Sequence, residues 1–178
     1  MNETQRSLQR YIAPTDEEFY EGGRSDKKEE DVLQFLCFYV DDEEYALELS
    51  VIAEIIKLRD ITDVPHIPDF MAGIISLRGE IIYIMNLQKR LSLKKRDITP
   101  ENRIIIALAE TKIGLVKMGL MADRIVGVVR VNSKNIEPTT NIQGGTCSRF
   151  IKGVIHYKGR LIIMLNLPVL LETEEAAV

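Results

Sequence analysis

Short apolar runs separated by turn-forming residues fill the chain from residue 32 onward. In 32–40 apolar side chains occupy both sets of alternating positions, which predicts a strand buried on both faces. The acidic stretch 41–44 predicts a hairpin turn, and 45–49 carries the returning strand. The run 103–109 has the same character as the first strand. Many short strands of this kind predict a mainly β fold.

Helices are expected only as short segments between these strands. Ser50 is a favoured N-cap residue and predicts a helix over 51–56, with Glu54 near the N-terminus where negative charge is favourable. Asn86 and Asn166 are expected to cap two further short helices. None of these segments is long enough to form the crossover helix of a parallel sheet.

An internal repeat organises the chain. Residues 70–91 and 150–171 align without a gap at an offset of 80 and are identical at eight of 22 positions. The weaker pair 45–56 and 118–129 aligns at an offset of 73. Glycine supplies the positive φ of a tight turn, so the conserved turns predict two similar hairpins. The identical pairs are Phe70 and Phe150, Gly73 and Gly153, Ile75 and Ile155, Gly79 and Gly159, Ile82 and Ile162, Asn86 and Asn166, Leu87 and Leu167, and Leu91 and Leu171.

The repeat predicts a body over 32–172 with two modules, about 32–92 and 103–172. Short strands joined by glycine turns favour two small antiparallel β-barrels packed together. Residues 1–31 contain too little apolar surface to offset the entropy of ordering, so a flexible tail is expected there. A short C-terminal tail is expected over 173–178.

Charge and targeting signals narrow the function. The first 31 residues hold five bases and nine acids, which accounts for the formal net charge of −4, and the body is neutral. A neutral body without a basic stripe argues against nucleic acid as a partner. The absence of a long apolar run argues against membrane insertion, and Cys37 and Cys147 lack the spacing of a disulfide framework or metal site. A reducing cytoplasm is the expected environment.

Catalytic and metal-binding patterns are not evident in the sequence. His66 and His156 have no Cys, His, Asp or Glu at ligand spacing, so no metal, cofactor or catalytic role is predicted for them. No nucleophile elbow or phosphate-binding glycine loop is present, and Gly144-Gly145 is interpreted as part of a loop. A binding function remains as the leading class.

Two interpretations are open for the apolar residues that would form a binding surface. Ile52, Ile55 and Val128 could be exposed on a groove between the barrels, with Glu54 and Arg78 as charged companions. Alternatively, Ile52 and Ile55 pack inward and Arg78 only decorates a turn. The sequence supports both equally.

Three segments resemble motifs of the CheW family of chemotaxis coupling proteins. The stretch 73–82, GIISLRGEII, is similar to that family's Gly-x-x-Asn-Leu-Arg-Gly hairpin. Residues 45–47 with 52–56 resemble its first hairpin and the following turn, and 119–123 resemble its Gly-Leu-Leu-Val-Asp element. The resemblance runs from about residue 33 to residue 171.

The resemblance implies two intertwined SH3-like five-stranded β-barrels and a non-catalytic scaffold. It implies partners too: the regulatory domain of a CheA-type histidine kinase and the cytoplasmic signalling tip of a chemoreceptor, in the cytoplasm at the receptor array. The expected partner-binding residues are Arg78, Glu54, Ile52, Ile55, Ile104, Gly119, Ile125 and Val128, of which Gly119, Ile125 and Val128 fall in the receptor-facing groove and Ile104 lies near it.

The chain departs from the family pattern at several places. Ser76 stands in place of the usual Asn, Tyr83 in place of proline and Asn86 in place of aspartate, and the hairpin over 110–117 is longer than usual. A CheW-like adaptor of a pilus or other motility array is therefore an alternative. A small-ligand-binding or enzymatic β-barrel and a self-assembling ring component are the other classes considered.

Overall fold

The computed structural model describes residues 31–138 and 148–172. The expectations for the two tails, for Cys147 and for the glycine loop at 144–145 lie outside the described residues. The described region holds short 3₁₀ turns besides eleven strands and two α-helices. These are β1 Val32–Val40, β2 Glu43–Glu48, β3 Ile52–Lys57, β4 Met71–Leu77, β5 Glu80–Asn86, α1 Leu87–Arg90, β6 Arg103–Thr111, β7 Gly114–Ala122, β8 Arg124–Asn132, β9 Ile136–Pro138, β10 Ile151–Tyr157, β11 Arg160–Leu165 and α2 Leu167–Leu171.

The two repeated hairpins turn in the same way. Arg78 and Gly79 between β4 and β5 have φ values of 51° and 83°, and Lys158 and Gly159 between β10 and β11 have 47° and 77°. Positive φ at both central residues is what a type I′ turn requires, and that turn matches the twist of the flanking strands. The prediction of compact hairpins at both basic-glycine pairs is confirmed.

The two predicted asparagine caps differ. The side chain of Asn86 accepts a hydrogen bond of 3.1 Å from the backbone N–H of Lys89, so Asn86 caps α1 as predicted. Asn166 occupies the corresponding position before α2, but its side chain makes no capping hydrogen bond. The prediction is therefore confirmed for the position of Asn166 at the start of α2 and wrong for its capping hydrogen bond.

The helix predicted over 51–56 is also wrong, because β3 occupies this region after a 3₁₀ turn at Leu49–Val51. The pairing of β3 with β6 shifts register between Ile52 and Glu54, which marks a β-bulge. A bulge inserts one residue, so Ile52 and Ile55 both face the core although they lie three positions apart. The prediction rested on Ser50 as an N-cap residue, but Ser50 lies inside the 3₁₀ turn and a strand follows it.

The strands form two sheets that exchange parts of the repeat. One sheet has the order β8-β1-β2-β11-β10-β9 and the other β3-β6-β7-β5-β4. The repeat makes β1 and β2 equivalent to β6 and β7, and β3, β4 and β5 equivalent to β8, β10 and β11. Each sheet therefore combines the first hairpin of one repeat with the later strands of the other. This arrangement confirms a mainly β fold with intertwined halves.

Parallel pairing joins the exchanged hairpins to their sheets. Strand β2 lies parallel to β11, and β5 lies parallel to β7, whereas the other pairs are antiparallel. The expectation of purely antiparallel barrels is corrected at these two joins. Because the paired strands come from different repeats, no crossover helix is needed between them.

The core has three parts, one inside each sheet and one between the sheets. On β1, Leu36 and Phe38 face the central core while Phe35 and Cys37 face the inside of the six-stranded sheet. The prediction that the strand is buried on both faces is confirmed for 35–40 and wrong for its start, where Val32 and Leu33 are 49% and 42% exposed. Strand β6 likewise has one face toward the central core and the other toward the inside of the five-stranded sheet. Strands β1 and β6 therefore separate the central core from the two barrel interiors.

Candidate partner-binding site

The most exposed predicted site residue is Arg78 at the β4–β5 turn. Its side chain is 67% exposed, and its Nη2 atom lies 3.2 Å from Oε2 of Glu54 on β3, whose side chain is 17% exposed. An exposed ion pair of this kind contributes little to stability. The pair therefore presents a charged group to solvent at one end of the five-stranded sheet without being required for folding.

Glu54 lies at the interior face of that sheet, together with two other predicted residues. It stands opposite Ile106 on β6, and Ile104 on the same face is fully buried. Gly119 lies on neighbouring β7, where an added Cβ would be 2.8 Å from Cγ2 of Ile104 and 2.4 Å from Cδ1 of Ile84. Gly119 therefore allows two isoleucines to pack, and Ile104 and Gly119 shape the barrel from within.

The other four predicted residues belong to the central core. Ile52, Ile55 and Val128 are 5%, 9% and 8% exposed, so the exposed interpretation is wrong for all three and inward packing is correct for Ile52 and Ile55. Ile125 is half-buried and packs against the same core. Of the eight predicted residues, the structure leaves Arg78 well exposed and Glu54 and Ile125 partly exposed.

A further exposed apolar pair lies on the same hairpin as Arg78. Ile81 and Tyr83 of β5 are 70% and 46% exposed, while Ile82 and Ile84 between and after them are buried. The sequence prediction missed this face because 81–85 is apolar throughout and therefore indicates burial on both sides. Arg78, Ile81 and Tyr83 are referred to below as the β5 face.

A polar cluster around Asp123 holds the connection between α1 and β6. Asp123 accepts hydrogen bonds from the backbone N–H of Asp41 at 2.7 Å, from Nε2 of Gln88 at 2.8 Å and from Nδ2 of Asn102 at 3.3 Å. Arg96 extends the cluster through an ion pair of 2.5 Å with Asp41. The cluster ties three connections together at the point where the chain passes from one sheet to the other.

Two titratable groups, His156 and Cys37, lie in different surroundings. His156 lies on the surface of β10 with Nε2 3.2 Å from Oε1 of Glu137, and both side chains are largely exposed. Burial is the main cause that raises the pKa of Cys37 to about 12, which disfavours its thiolate. No group of three or more His, Cys, Asp or Glu in the described part of the chain could hold a metal ion. No helix in that part is long and apolar enough to cross a membrane.

Comparisons with known proteins agree with the fold. The solved structure of scaffolding protein TtCheW from Thermoanaerobacter tengcongensis matches with a TM-score of 0.71 and 31% identity, covering 80% of this chain and 94% of that one. This match identifies the two sheets as SH3-like barrels, in agreement with the predicted fold class; one barrel carries the three-residue β9 as an additional strand.

Relatives and the family model extend the agreement along the chain. The chemotaxis protein CheW of Thermotoga maritima is 32% identical over 78% of this chain and 87% of its own length. The probable chemotaxis protein CheW of Rhizobium etli is 30% identical over 81% of this chain and 91% of its own length. The model of the CheW-like domain matches residues 34–175. The chain therefore belongs to the CheW-like family.

Proposed function

We propose that this chain is a non-catalytic adaptor that couples chemoreceptors to a CheA-type histidine kinase in chemotaxis signalling. The observation that carries the proposal is the CheW-like match over 34–175, with relatives named as chemotaxis proteins and a scaffolding protein as structural neighbour. Under this proposal the chain works in the cytoplasm at the receptor array, and it binds the kinase regulatory domain and the receptor signalling tip.

The β5 face is the proposed contact surface for one of these partners. Arg78 supplies an exposed positive charge, held beside Glu54, and Ile81 and Tyr83 supply exposed apolar area on the same hairpin. Arginine and tyrosine are enriched among the residues that dominate binding energy at interfaces. We expect Ile52, Ile55, Ile104, Gly119 and Val128 to act by shaping the barrels, and Ile125 to contribute partly exposed area.

A binding assay with purified kinase regulatory domain and receptor cytoplasmic fragment tests the proposal. We expect Arg78→Glu to weaken binding to at least one partner about tenfold, which corresponds to about 1.4 kcal/mol. Lys158→Glu is the matched control, because Lys158 occupies the equivalent turn of the other barrel. The affinity of the Lys158→Glu variant should stay within about twofold of that of the original chain. Both variants should unfold within about 0.5 kcal/mol of it, as is usual for surface substitutions.

Three outcomes would change these assignments. Binding of the original chain to neither partner would overturn the adaptor function in chemotaxis, and a panel of pilus and other motility kinases would then show whether it serves a different array. A large loss of stability in Arg78→Glu would assign Arg78 a structural role instead. Mass spectrometry of the native purified protein tests the rival class, since a stoichiometric bound metabolite would favour a small-ligand domain.

A further inference from the structure

The two parallel joins between exchanged strands have the same register. Ile163 of β11 lies opposite Tyr45 of β2, and Tyr83 of β5 lies opposite Met118 of β7. The sequence offsets of 80 and 73 convert one pair of positions into the other. The joins are therefore equivalent places in the two barrels, and their neighbouring side chains can be compared directly.

An ion pair stands beside each join, and the two pairs have opposite polarity. In the six-stranded barrel Nη1 of Arg160 on β11 lies 3.2 Å from both carboxylate oxygens of Glu44 on β2. In the five-stranded barrel Glu80 on β5 pairs with Lys117 on β7. Glu80 is equivalent to Arg160, and Lys117 is equivalent to Glu44. The base and the acid have thus changed places between the repeats.

The polarity matters because the strands have an alternative arrangement. If each repeat closed on itself without exchange, β2 would join β5 and β7 would join β11 in the same register. Glu44 would then face Glu80, and Lys117 would face Arg160. Both attractive pairs of the observed fold would become repulsive pairs, and like charges at neighbouring strand positions are destabilising.

Burial increases the difference in free energy between the two arrangements at the join that contains Glu44. The side chain of Glu44 is only 5% exposed, so a second carboxylate beside it would leave a buried charge without its positive partner. Glu80 and Lys117 are more exposed, at 61% and 36%, and their pairing is worth correspondingly less.

Other charged neighbours across the exchanged strands show no such reversal of sign. Nζ of Lys152 on β10 lies 2.6 Å from Oε1 of Glu48 on β2, and Arg124 on β8 acts to lower the pKa of Glu44. Without exchange Ala72 and Val51 would take the places of Lys152 and Arg124, so these attractions would be lost without becoming repulsions.

In the observed fold Lys57 lies opposite Arg103, and Arg130 lies opposite Gln34. Without exchange Lys57 would face Gln34 and Arg130 would face Arg103, so one repulsive pair exists in either case. Among these pairs, only the four residues at the parallel joins change from attraction to repulsion.

We propose that Glu44, Lys117, Glu80 and Arg160 form an electrostatic code that selects the exchanged pairing of the two repeats over the closed, unexchanged barrels. The attractive pairs stabilise the observed fold, and the repulsive pairs penalise the alternative. The rival explanation lies in the short connections, since β2 reaches β3 through Leu49–Val51 and β7 reaches β8 through Asp123 alone. Short connections of this kind can enforce exchange without any charge.

Charge variants of the full chain with unchanged composition separate these explanations. Glu80→Arg with Arg160→Glu inverts the code, because both pairs become repulsive in the exchanged fold and attractive in the unexchanged one. Glu80→Lys with Lys117→Glu neutralises it, because the pairs are attractive in both. Adding Glu44→Lys and Lys117→Glu to the inverted variant restores the code with all signs reversed.

Each variant is refolded from denaturant, and NMR contacts between backbone amides of β2 and either β11 or β5 identify the pairing. We expect the original and restored chains to show only contacts of β2 with β11. The neutralised chain should show a second set of resonances with contacts to β5, and this set should increase at least tenfold in the inverted chain.

Two results would overturn the proposal. One is an inverted chain that refolds with only the original contacts, which would mean that the connections alone decide the pairing. The second result concerns the neutralised chain and is decisive if the inverted chain does not fold. A neutralised chain with only one set of resonances, showing contacts of β2 with β11, would then refute the code. Failure of the adaptor function would leave this test unaffected, because its readout is strand pairing and not partner binding.

Discussion

The hairpins β4–β5 and β10–β11 occupy equivalent places in the two barrels and differ in what they expose. Both begin with a bulge next to a glycine, both turn on a basic-glycine pair with positive φ, and both end with an asparagine N–H bonded to a phenylalanine carbonyl. Those hydrogen bonds are 2.8 Å from Asn86 to Phe70 and 2.7 Å from Asn166 to Phe150. The bulge, the turn and the closing backbone hydrogen bond are therefore present in both copies.

Their surfaces have diverged. Tyr83 is 46% exposed on the outer face of β5, whereas the equivalent Ile163 is half-buried against the central core. Arg78 contacts Glu54 across the barrel end, whereas Nζ of Lys158 lies 5.6 Å from the centre of the adjacent Tyr157 ring. Two barrels with one backbone plan can therefore offer unlike surfaces, which suits a protein proposed to hold two partners.

The largest expected difference concerns the glycines at the two bulges. Gly73 has a φ of +135°, and an added Cβ would lie 2.2 Å from the carbonyl oxygen of Thr62, whereas Gly153 would meet the carbonyl of Glu137 at 2.6 Å. Gly73→Ala combines backbone strain with a clash and should lower the free energy of unfolding by about 3 kcal/mol. Gly153→Ala should lower it by about 1–2 kcal/mol. Urea unfolding measures the stability of both variants. An equal loss of stability in the two would contradict the expected difference between the glycines.

The next effect concerns Arg90, which lies between the rings of Phe70 and Phe150 at 4.1 and 4.6 Å from their centres. Its guanidinium donates hydrogen bonds to the carbonyls of Leu170 at 3.0 Å and Glu172 at 2.5 Å. The repeat places leucine at the equivalent position, residue 170. Arg90→Leu makes the two copies alike here, but it removes both donors and should cost about 2 kcal/mol.

Arg90→Lys is the matched control for this substitution. Lysine keeps the positive charge but loses the planar group that stacks between the rings, so an intermediate loss is expected in the same unfolding assay. A stability equal to the original chain in Arg90→Leu would show that the two carbonyls find other partners.

The smallest effect is a pH dependence at the six-stranded join. Burial raises the pKa of Glu44 above its ordinary 4.5, although Arg160 and Arg124 act in the opposite direction. A carboxyl with a raised pKa binds its proton more tightly in the folded state, so its contribution is present below pH 4.5 and is lost as the pH rises through the folded value. Between pH 4.5 and 7 the original chain should therefore lose stability relative to Glu44→Gln.

Unfolding free energies of the two proteins across this pH range provide the measurement. A difference that stays constant, or that changes in favour of the original chain as the pH rises, would mean that the pairing with Arg160 outweighs burial. Glu80→Gln measured alongside gives the contribution of the equivalent, more exposed pair.

Local features of the fold were predictable from the sequence. The β1 strand, the glycine turns and the Asn86 cap depend on residues close in the chain, and their patterns indicate one structure. The region after Ser50 was mistaken for a helix because serine is a favoured N-cap residue, whereas Ser50 lies in a 3₁₀ turn and a bulged strand follows it. A bulge depends on the partner strand, which local patterns do not identify.

The candidate site was predictable only in part. Arg78 was expected at a turn and is exposed there. A charged side chain next to a turn glycine stays in solvent, because few other residues pack around a hairpin turn. Ile81 and Tyr83 were missed because an apolar strand does not reveal which face is covered. Coverage depends on where the other sheet lies, and that position is set by contacts between residues far apart in sequence.

By itself the sequence determined the repeat, the strands with their basic-glycine turns and the family resemblance, because these rest on residue types and short spacings. Only the tertiary structure decided that the two repeats exchange their first hairpins and that most of the predicted contact residues lie in the core. The pairing of distant strands is a choice between arrangements with nearly the same local geometry. The charges at the parallel joins, which no local pattern reveals, are proposed to separate those arrangements in free energy.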